Sequence, residues 1–205
     1  MAVYEDRLFP RLLDWVMNNH VMDRQRAKVV PHAQGVVLEI GSGTGLNWPF
    51  YDVRRIGKLL AIEPSASLRA RGERRLQSHA IKVEVHQGVA ERLPMADGTV
   101  DSVVLTYTLC SVQDPETSLS EILRVLKPGG RLLVSEHGRA PDPSVLRLQR
   151  LANPVWSALA CGCCLHRDME GLIRSAGFDS CALTSAYLPG PRVFGFTTWG
   201  HAIKA

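Results

Sequence analysis

The chain has 205 residues, enough for one domain with a hydrophobic core. Apolar residues make up 45% and charged residues 21%, a balance typical of a globular protein. No apolar run approaches the roughly 20 residues that a membrane-spanning helix requires, so we expect no such helix. The net charge is +4, but the arginines are spread along the chain and form no basic stripe. We therefore expect no nucleic-acid partner.

Residues 1–31 are predicted to form an N-terminal helical cap. Leu8, Leu12 and Val16 recur at helical spacing, with charged residues between them. The first residues, 1–6, are acidic and lack an apolar signal segment, which favours a cytoplasmic location. Because the cap is basic and amphipathic, a weak peripheral contact with membranes stays open, and so does the oligomeric state.

Between this cap and residue 137, β-rich runs alternate with helical stretches. We predict strands over the following segments: 36–40, 59–62, 81–86, 102–106 and 131–136. We predict helices in between, as follows: from the glycine-rich turn to Tyr51, from an N-cap at Ser67 to about His79, and from Pro115 to Leu126, stopped by Lys127-Pro128-Gly129-Gly130. Such alternation is typical of a parallel sheet covered by helices.

Residues 138–205 follow a different pattern. A helical stretch over 141–166, interrupted at Pro154 and Gly162, precedes a second helix over 167–176. Two β-like runs follow, near 178–186 and 193–204, and are expected to pair antiparallel at the sheet edge. The sequence therefore predicts a single α/β domain over the whole chain. Its sheet would be Rossmann-like, doubly wound and seven-stranded, mostly parallel with an antiparallel edge strand and with helices on both faces.

The turn after the first strand reads Glu39-Ile40-Gly41-Ser42-Gly43-Thr44-Gly45. Its glycines let the backbone turn sharply and approach a ligand closely. A dinucleotide fingerprint would read Gly-x-Gly-x-x-Gly and would place a pyrophosphate at the helix N-terminus. Here the spacing is Gly-x-Gly-x-Gly, and the Glu39 carboxylate would repel a pyrophosphate. The turn instead favours a ligand that carries an ammonium and a sulfonium.

Glu63 follows the second predicted strand, on the same side of the sheet as the glycine turn. An acidic side chain at this position can accept hydrogen bonds from both hydroxyls of a ribose. A solvated loop carboxylate is the alternative interpretation. Together with the turn, Glu63 predicts a site for a cationic ligand that contains a ribose.

Residues 36–137 resemble the class I S-adenosylmethionine-dependent methyltransferases. The motifs that carry the resemblance are the glycine turn, Glu63-Pro64-Ser65, the run from Gly88 to Pro94 followed by Asp97-Gly98-Thr99-Val100-Asp101, and Leu126-Lys127-Pro128-Gly129-Gly130. The resemblance implies S-adenosyl-L-methionine as methyl donor and S-adenosyl-L-homocysteine as product. It also implies that residues 36–137 bind this cofactor and that residues 138–205 face the methyl acceptor.

The same resemblance implies roles for individual residues. Those implied to bind the methionine part are Glu39, Gly41, Ser42, Gly43, Gly45 and, from the fourth strand, Thr106. Those implied to bind the nucleoside are Glu63, Pro64 and Ser65 at the ribose and Ala90 and Glu91 at the adenine. The chain departs from the family at Val89, where the family often has an aspartate, and Glu91 is the candidate to replace it.

A narrower resemblance extends beyond this core. The segments that carry it are 108–112, 136–138, Pro154 with Trp156, and 162–165, and they resemble membrane-anchored alkyl-thiol S-methyltransferases and their soluble relatives. This implies methyl transfer to a small, fairly apolar acceptor, with a thiol sulfur as the first candidate. The alternatives are N-methylation of a phospholipid headgroup, a nicotinamide-dependent oxidoreductase and a non-catalytic methyltransferase-like subunit.

Two residues after the sheet strands are candidates for catalysis. Methyl transfer is an in-line displacement, and a general base is needed only if the acceptor is protonated. His137, after the fifth strand, is the first candidate base, with a structural hydrogen bond to a loop as its alternative. Tyr107, after the fourth strand, is expected to line the acceptor pocket, as is Cys110.

Five cysteines are present, three of them in Cys161-Gly162-Cys163-Cys164. A structural zinc site usually shows two well-separated Cys/His pairs, and this cluster has no second pair although His166 lies close. We therefore expect no metal ion and interpret the cluster as small, soft residues that pack against a pocket or the core.

Overall fold

The computed structural model describes residues 4, 8–77 and 81–205 of the chain. Its helices are α1 (Phe9–Met17), α2 (His20–Val29), α3 (Ala66–Leu76), α4 (Pro115–Val125), α5 (Pro143–Leu159), α6 (Met169–Ser175) and α7 (Arg192–Gly195). Its strands are β1 (Gly35–Ile40), β2 (Ile56–Ile62), β3 (Glu84–His86), β4 (Val100–Thr106), β5 (Leu126–His137), β6 (Ser180–Tyr187) and β7 (Phe196–Ile203). The alternation predicted from the sequence is therefore present.

The strands form one seven-stranded sheet in the order β3-β2-β1-β4-β5-β7-β6. Strands β1 to β5 pair in parallel, whereas β7 is antiparallel to both of its neighbours. This confirms the Rossmann-like, doubly wound sheet and the antiparallel pairing at its edge. The antiparallel strand lies one position inside the sheet, because β6 forms the outermost strand.

Both faces of the sheet are covered. Successive residues of β4 point to opposite faces, so Val103 and Leu105 belong to one apolar cluster and Val104 belongs to the other. Helices α4 and α6 lie over the first cluster, and α2 packs against β5 and β7 on the second. This two-sided burial explains why β4 is almost entirely apolar, as central parallel strands are.

The prediction of a helix from the glycine turn to Tyr51 is wrong. The segment forms turns and one short 3-10 helix, Trp48–Phe50. Pro49 has no N–H to donate within a helix, and the side chains of Asn47, Trp48 and Tyr51 instead hydrogen-bond the buried Glu39. Tertiary hydrogen bonds therefore override the helical pattern here.

Several other boundaries differ from the predictions. The N-terminal cap is split into α1 and α2, because the Asn19 side chain accepts the N–H groups of Val21 and Met22 and starts a new helix. Helix α3 is capped by Ser65, not Ser67. The α3 prediction also reached about His79, which lies outside the described residues.

Further differences concern the second half of the chain. Helix α5 runs without interruption through Pro154, which leaves the carbonyl of the exposed Arg150 to water. Strand β5 already begins at Leu126, directly after α4, so the predicted breaker ends the helix but becomes part of the strand. Strand β3 is only three residues long, and part of the last predicted strand forms α7.

None of the helices in the described ranges combines the length and the apolarity that crossing a membrane demands.

Candidate active site

The carboxyl ends of β1, β2, β4 and β5 meet at one edge of the sheet, where ligands of doubly wound folds bind. The glycine turn leaves β1 at this edge, and its Gly41 N–H donates to the Ile62 carbonyl at 2.8 Å. A Cβ on Gly41 would lie 2.3 Å from Thr108 Oγ1, and one on Gly45 would lie 2.4 Å from Trp48. A Cβ on Gly43 would meet nothing within 4 Å. The outer two glycines therefore allow close packing, whereas Gly43 faces open space.

Glu39 lies beneath this turn and is only 1% exposed. Its carboxylate accepts hydrogen bonds from Asn47 Nδ2 at 3.0 Å, from Trp48 Nε1 at 3.1 Å and from the Tyr51 hydroxyl at 3.0 Å. Burial raises the pKa of Glu39 to about 7, although the three hydrogen bonds oppose this effect. Both oxygens thus bind protein donors, and Glu39 fixes the segment that follows the turn.

Glu63 follows β2 and faces the same turn. One of its oxygens accepts the Gly43 N–H and the other accepts the Ser65 N–H, each at 2.9 Å. The side chain is 5% exposed, and burial raises the pKa of Glu63. The interpretation as a solvated loop carboxylate is therefore wrong. Each carboxylate oxygen can accept a second hydrogen bond, so two ribose hydroxyls can be bound.

The residues implied to bind adenine lie after β3. Ala90 is buried in the apolar core. Glu91 Oε1 accepts the N–H groups of Gln113 at 2.9 Å and Asp114 at 3.2 Å, so this carboxylate holds the start of α4 in place. Val89, where the family often has an aspartate, is 46% exposed. Glu91 thus has a structural contact, while its role at the adenine is implied by the resemblance alone.

Two polar atoms near the turn lack a protein partner. Ser42 Oγ and Asn47 Oδ1 are buried and have no hydrogen bond to any other described residue. Leaving a buried polar atom unpaired costs about 1–3 kcal/mol, so such atoms mark places where a ligand can bind. Asn47 also donates to Thr106 Oγ1 at 2.8 Å, at the end of β4. The residues present therefore fit a polar ligand such as the methionine part of S-adenosylmethionine.

Asp14 of α1 joins the N-terminal cap to this site. Its carboxylate accepts a hydrogen bond from Thr44 in the glycine turn and forms ion pairs with Arg71 at 3.6 Å and Arg75 at 3.3 Å, both on α3. Helix α1 thus closes over the turn. The sequence does not reveal this role, because Asp14 resembles any surface charge of an amphipathic helix.

His137 ends β5 and contacts a loop that follows α5. Its Nε2 lies 2.7 Å from Cys163 Sγ, which also accepts a hydrogen bond from Trp156 Nε1 at 3.2 Å and lies 3.7 Å from Cys110 Sγ. The structural hydrogen bond to a loop, the alternative for His137, is therefore present. The Tyr107 ring centroid lies 6.5 Å from that of His137. Burial raises the pKa of Tyr107 to about 12, so its hydroxyl is neutral.

Glu136 holds a loop of the site, a role that the sequence pattern does not assign to it. Its fully buried carboxylate accepts three consecutive backbone N–H groups after β4, from Thr108 at 2.6 Å, Leu109 at 2.9 Å and Cys110 at 3.2 Å. This fixes the loop that carries Cys110. The available signal is a carboxylate shortly after the apolar run 132–134 of β5, since a buried charge needs dedicated partners.

Comparisons with known proteins agree with this geometry. A family model described as a methyltransferase domain matches residues 38–134. Thiol S-methyltransferase TMT1B of Rattus norvegicus is 35% identical over 78% of this chain and 68% of its own length. The protein of the same name from Homo sapiens is 30% identical over 87% of this chain and 80% of its own length. A ubiquinone/menaquinone biosynthesis C-methyltransferase of Klebsiella pneumoniae is 34% identical over 70% of this chain and 66% of its own length.

Solved structures share the fold. A methyltransferase of Thermotoga maritima, described as SAM-dependent and a possible histamine N-methyltransferase, superposes with a TM-score of 0.68 at 24% identity, covering 100% of this chain and 99% of its own. The YcgJ protein of a Bacillus species gives 0.70 at 16% identity, covering 90% and 98%. The fold, the glycine turn with its acid, and the similarity over most of the length lead to one conclusion: the chain belongs to the class I S-adenosylmethionine-dependent methyltransferases.

Proposed function

We propose that this enzyme transfers the methyl group of S-adenosyl-L-methionine to the thiol sulfur of a small, fairly apolar acceptor. The observation that carries the proposal is the group formed by Cys110, Cys163, His137 and Trp156 beyond the ends of β4 and β5. It offers soft sulfur atoms and an aromatic surface, which suit a polarizable sulfur bound to an apolar group. The similarity to thiol S-methyltransferases over most of the chain supports the same acceptor.

The cofactor is proposed to bind along the glycine turn. Gly43 lets the ligand approach the backbone closely, the unpaired Asn47 Oδ1 would accept a hydrogen bond from the methionine part, and Ser42 Oγ would accept or donate one. Glu39, Gly41 and Gly45 would hold the turn in shape, and Thr106 would line the same part. Glu63, with Pro64 and Ser65, would bind the ribose, while Ala90 and Glu91 would border the adenine. S-adenosylmethionine supplies a methyl carbon already activated by a sulfonium.

His137 and Tyr107 are the proposed catalytic residues. Holding the acceptor sulfur in line with the methyl carbon accounts for most of the expected rate enhancement. A free thiol has a pKa of about 8.5 and is mostly protonated at neutral pH, so it gains from losing its proton at the site. His137 would receive that proton, and the neutral Tyr107 hydroxyl would hold the acceptor sulfur.

An acceptor panel tests the proposal. The purified protein is incubated with methyl-labelled cofactor and with matched thiols, amines, phenols and phosphatidylethanolamine. We expect a thioether and an equal amount of S-adenosylhomocysteine from the thiols alone. Label transferred only to phenols, amines or lipid would refute the choice of acceptor.

Carbon methylation is the second candidate function. The observation that favours it is the similarity to a ubiquinone/menaquinone biosynthesis C-methyltransferase, 34% identical over 70% of this chain. A carbon acceptor would be an electron-rich ring rather than a thiol. Including a hydroxylated aromatic ring in the panel, and locating the label by NMR on carbon or on sulfur, separates the two functions.

A weak peripheral contact with membranes stays a prediction, supported by side chains on the outer side of α1. Leu8 is 56% exposed, Leu12 44% and Trp15 78%. An exposed apolar face of this kind can enter a lipid headgroup region. The intrinsic fluorescence of Trp15 is expected to rise and shift to the blue when anionic vesicles are added at low salt. No change would refute the contact and, with it, phospholipid N-methylation.

A further inference from the structure

We infer that Cys110, His137 and Cys163 form a three-ligand site for a zinc ion whose fourth position binds the acceptor thiolate. The ligand atoms of these three residues all lie within 4.8 Å of one another. Zinc sites with two cysteines, one histidine and an open fourth position are the catalytic kind, whereas structural sites are closed by four protein ligands. This role of the fourth position rests on the proposed function.

The distances suit a tetrahedral zinc ion. With Zn–S bonds of about 2.3 Å and a Zn–N bond of about 2.05 Å, two sulfurs lie about 3.8 Å apart and a sulfur and a nitrogen about 3.5 Å apart. Cys110 Sγ and Cys163 Sγ are 3.7 Å apart, and His137 Nε2 is 2.7 Å from Cys163 Sγ. The sulfur pair thus already has the required spacing. The imidazole has to move away from Cys163 by about 0.8 Å, a shift within reach of a side-chain rotation.

The backbone holds the three ligands from separate parts of the fold. Cys110 is fixed by its N–H bond to the buried Glu136, and its carbonyl accepts the Cys164 N–H at 2.9 Å. Cys163 is turned inward by two left-handed residues before it, Cys161 with φ +47° and Gly162 with φ +94°. A non-glycine residue at positive φ is uncommon and marks a loop that the surroundings constrain. The two loops therefore present both sulfurs to His137 in a defined arrangement.

One neighbouring donor would stabilise a zinc-bound thiolate, although the Cys110 sulfur and burial raise the pKa of the free Cys163 thiol. Trp156 Nε1 donates a hydrogen bond to Cys163 Sγ, a contact that stabilises sulfur in its negatively charged form. The Trp156 ring lies 4.5 Å from the Phe194 ring, so the sulfurs are covered by an aromatic wall. Cys110 and Cys163 are buried, whereas His137 is half-buried, which leaves an approach on the histidine side. The fourth position would be reached from there.

Zinc binding would change the chemistry of the acceptor. The ion would displace the protons of both cysteine thiols to solvent, and the acceptor thiol would release its own proton to solvent when it takes the fourth position. A lone pair of the bound sulfur then forms the new bond to the methyl carbon. The carbon–sulfonium bond breaks, and its electron pair stays on the cofactor sulfur. The product is a neutral thioether, a weak ligand that leaves the site. In the zinc-bound enzyme His137 Nε2 is a ligand and does not act as the base proposed for the metal-free site; the ion replaces that role because it stabilises the acceptor thiolate.

Cobalt(II) spectroscopy tests the site independently of catalysis. The reduced, metal-free full-length protein is titrated with Co²⁺ and then with Zn²⁺ as competitor. We expect one ion per chain, with tetrahedral d–d bands and a sulfur-to-cobalt charge-transfer band in the near ultraviolet. Cys110→Ser and Cys163→Ser should weaken Zn²⁺ binding by at least about 10- to 100-fold. Cys164→Ser is the matched control, since Cys164 lies next to Cys163 but outside the trio, and it should retain the spectrum.

The outcomes separate the metal site from the proposed function. Absence of the charge-transfer band in the parent protein, or an unchanged Zn²⁺ affinity in Cys110→Ser, would overturn the site. Binding of S-adenosylhomocysteine, measured by calorimetry, shows that each variant is folded. Addition of a small apolar thiol should intensify the band, and a thiol that is methylated without changing it would refute the fourth-position role. Methylation of a non-thiol acceptor alone would refute the proposed function, while the band of the metal-bound parent protein would stand.

Discussion

Replacing Glu63 by glutamine is expected to remove most of the cofactor affinity without unfolding the protein. In the folded chain, the carboxylate accepts two backbone N–H groups at 2.9 Å, and two ribose hydroxyls are proposed to join them. Hydrogen bonds to a charged group contribute about 1.5–3 kcal/mol each. Glutamine keeps one acceptor oxygen and places an NH₂ group where the other oxygen stood. One backbone N–H and one ribose hydroxyl thereby lose their acceptor.

From these contacts we expect a loss of about 2–4 kcal/mol in binding free energy, that is, a dissociation constant about 30- to 800-fold higher. Calorimetric titration with S-adenosylhomocysteine measures this constant directly. Glu73→Gln is the matched control, because Glu73 is an exposed glutamate on the neighbouring helix α3. An affinity that stays within twofold in Glu63→Gln, at an unchanged melting temperature, would refute the assignment of Glu63 to the ribose.

Three further predictions concern the turn and its surroundings. Gly43→Ala places a methyl group in the open space of the turn, so it should cost only about 1–2 kcal/mol of stability yet lower cofactor affinity at least tenfold. Gly41→Ala places its methyl group against Thr108 and should lower the free energy of unfolding, measured by chemical denaturation, by about 2–5 kcal/mol. Because burial raises the pKa of Glu39 to about 7, the folded state binds a proton more tightly than the unfolded state, and the free energy of unfolding should fall between about pH 4.5 and 7. Glu39→Gln should lack this fall, which amounts to at most about 3 kcal/mol. If the free energy of unfolding depends on pH equally in the two proteins, the raised pKa of Glu39 is refuted. Asp14→Asn should speed cofactor dissociation about two- to fivefold in stopped-flow measurements while changing stability by less than about 1 kcal/mol. The control Asp52→Asn, at an ion pair elsewhere, should leave the dissociation rate unchanged. Equal dissociation rates in the two variants would exclude closure by α1.

The proposed cofactor half of the site could be predicted from the sequence because its signals are local. The glycine turn and Glu63 each follow a recognisable strand, and the carboxyl ends of parallel strands necessarily meet at one edge. The same logic rejects the nicotinamide-dependent oxidoreductase, since both the glycine spacing and Glu39 disagree with a pyrophosphate. Membership of the enzyme family likewise shows that the interpretation as a non-catalytic subunit is wrong.

The buried hydrogen bonds of Glu39 could not be predicted in the same way. The local pattern predicts a helix after the turn. Asn47, Trp48 and Tyr51 instead hydrogen-bond the Glu39 carboxylate in β1, the strand that precedes the turn. A buried charge stabilises whichever backbone conformation brings it enough donors, and this preference exceeds helix propensity. The sequence of the segment does not reveal which charge it will meet.

The acceptor half was the least accessible to sequence reasoning. Cys110, His137 and Cys163 come from three distant parts of the chain, and the two cysteines are separated by 53 positions in sequence. The spacing of cysteines and histidines along the sequence shows only the run around Cys161, which has no second Cys/His pair. The sequence therefore predicts no metal site. Only the packing of α5 and its following loop against the ends of β4 and β5 brings the three side chains together.

The choice of a sulfur acceptor is the central claim, and one competition experiment tests it most directly. An apolar aromatic acceptor that carries both a thiol and a phenol is given one equivalent of cofactor labelled at the methyl carbon, and the product is located by NMR. The account predicts a single labelled methyl group on sulfur. A label on oxygen or on a ring carbon would contradict it.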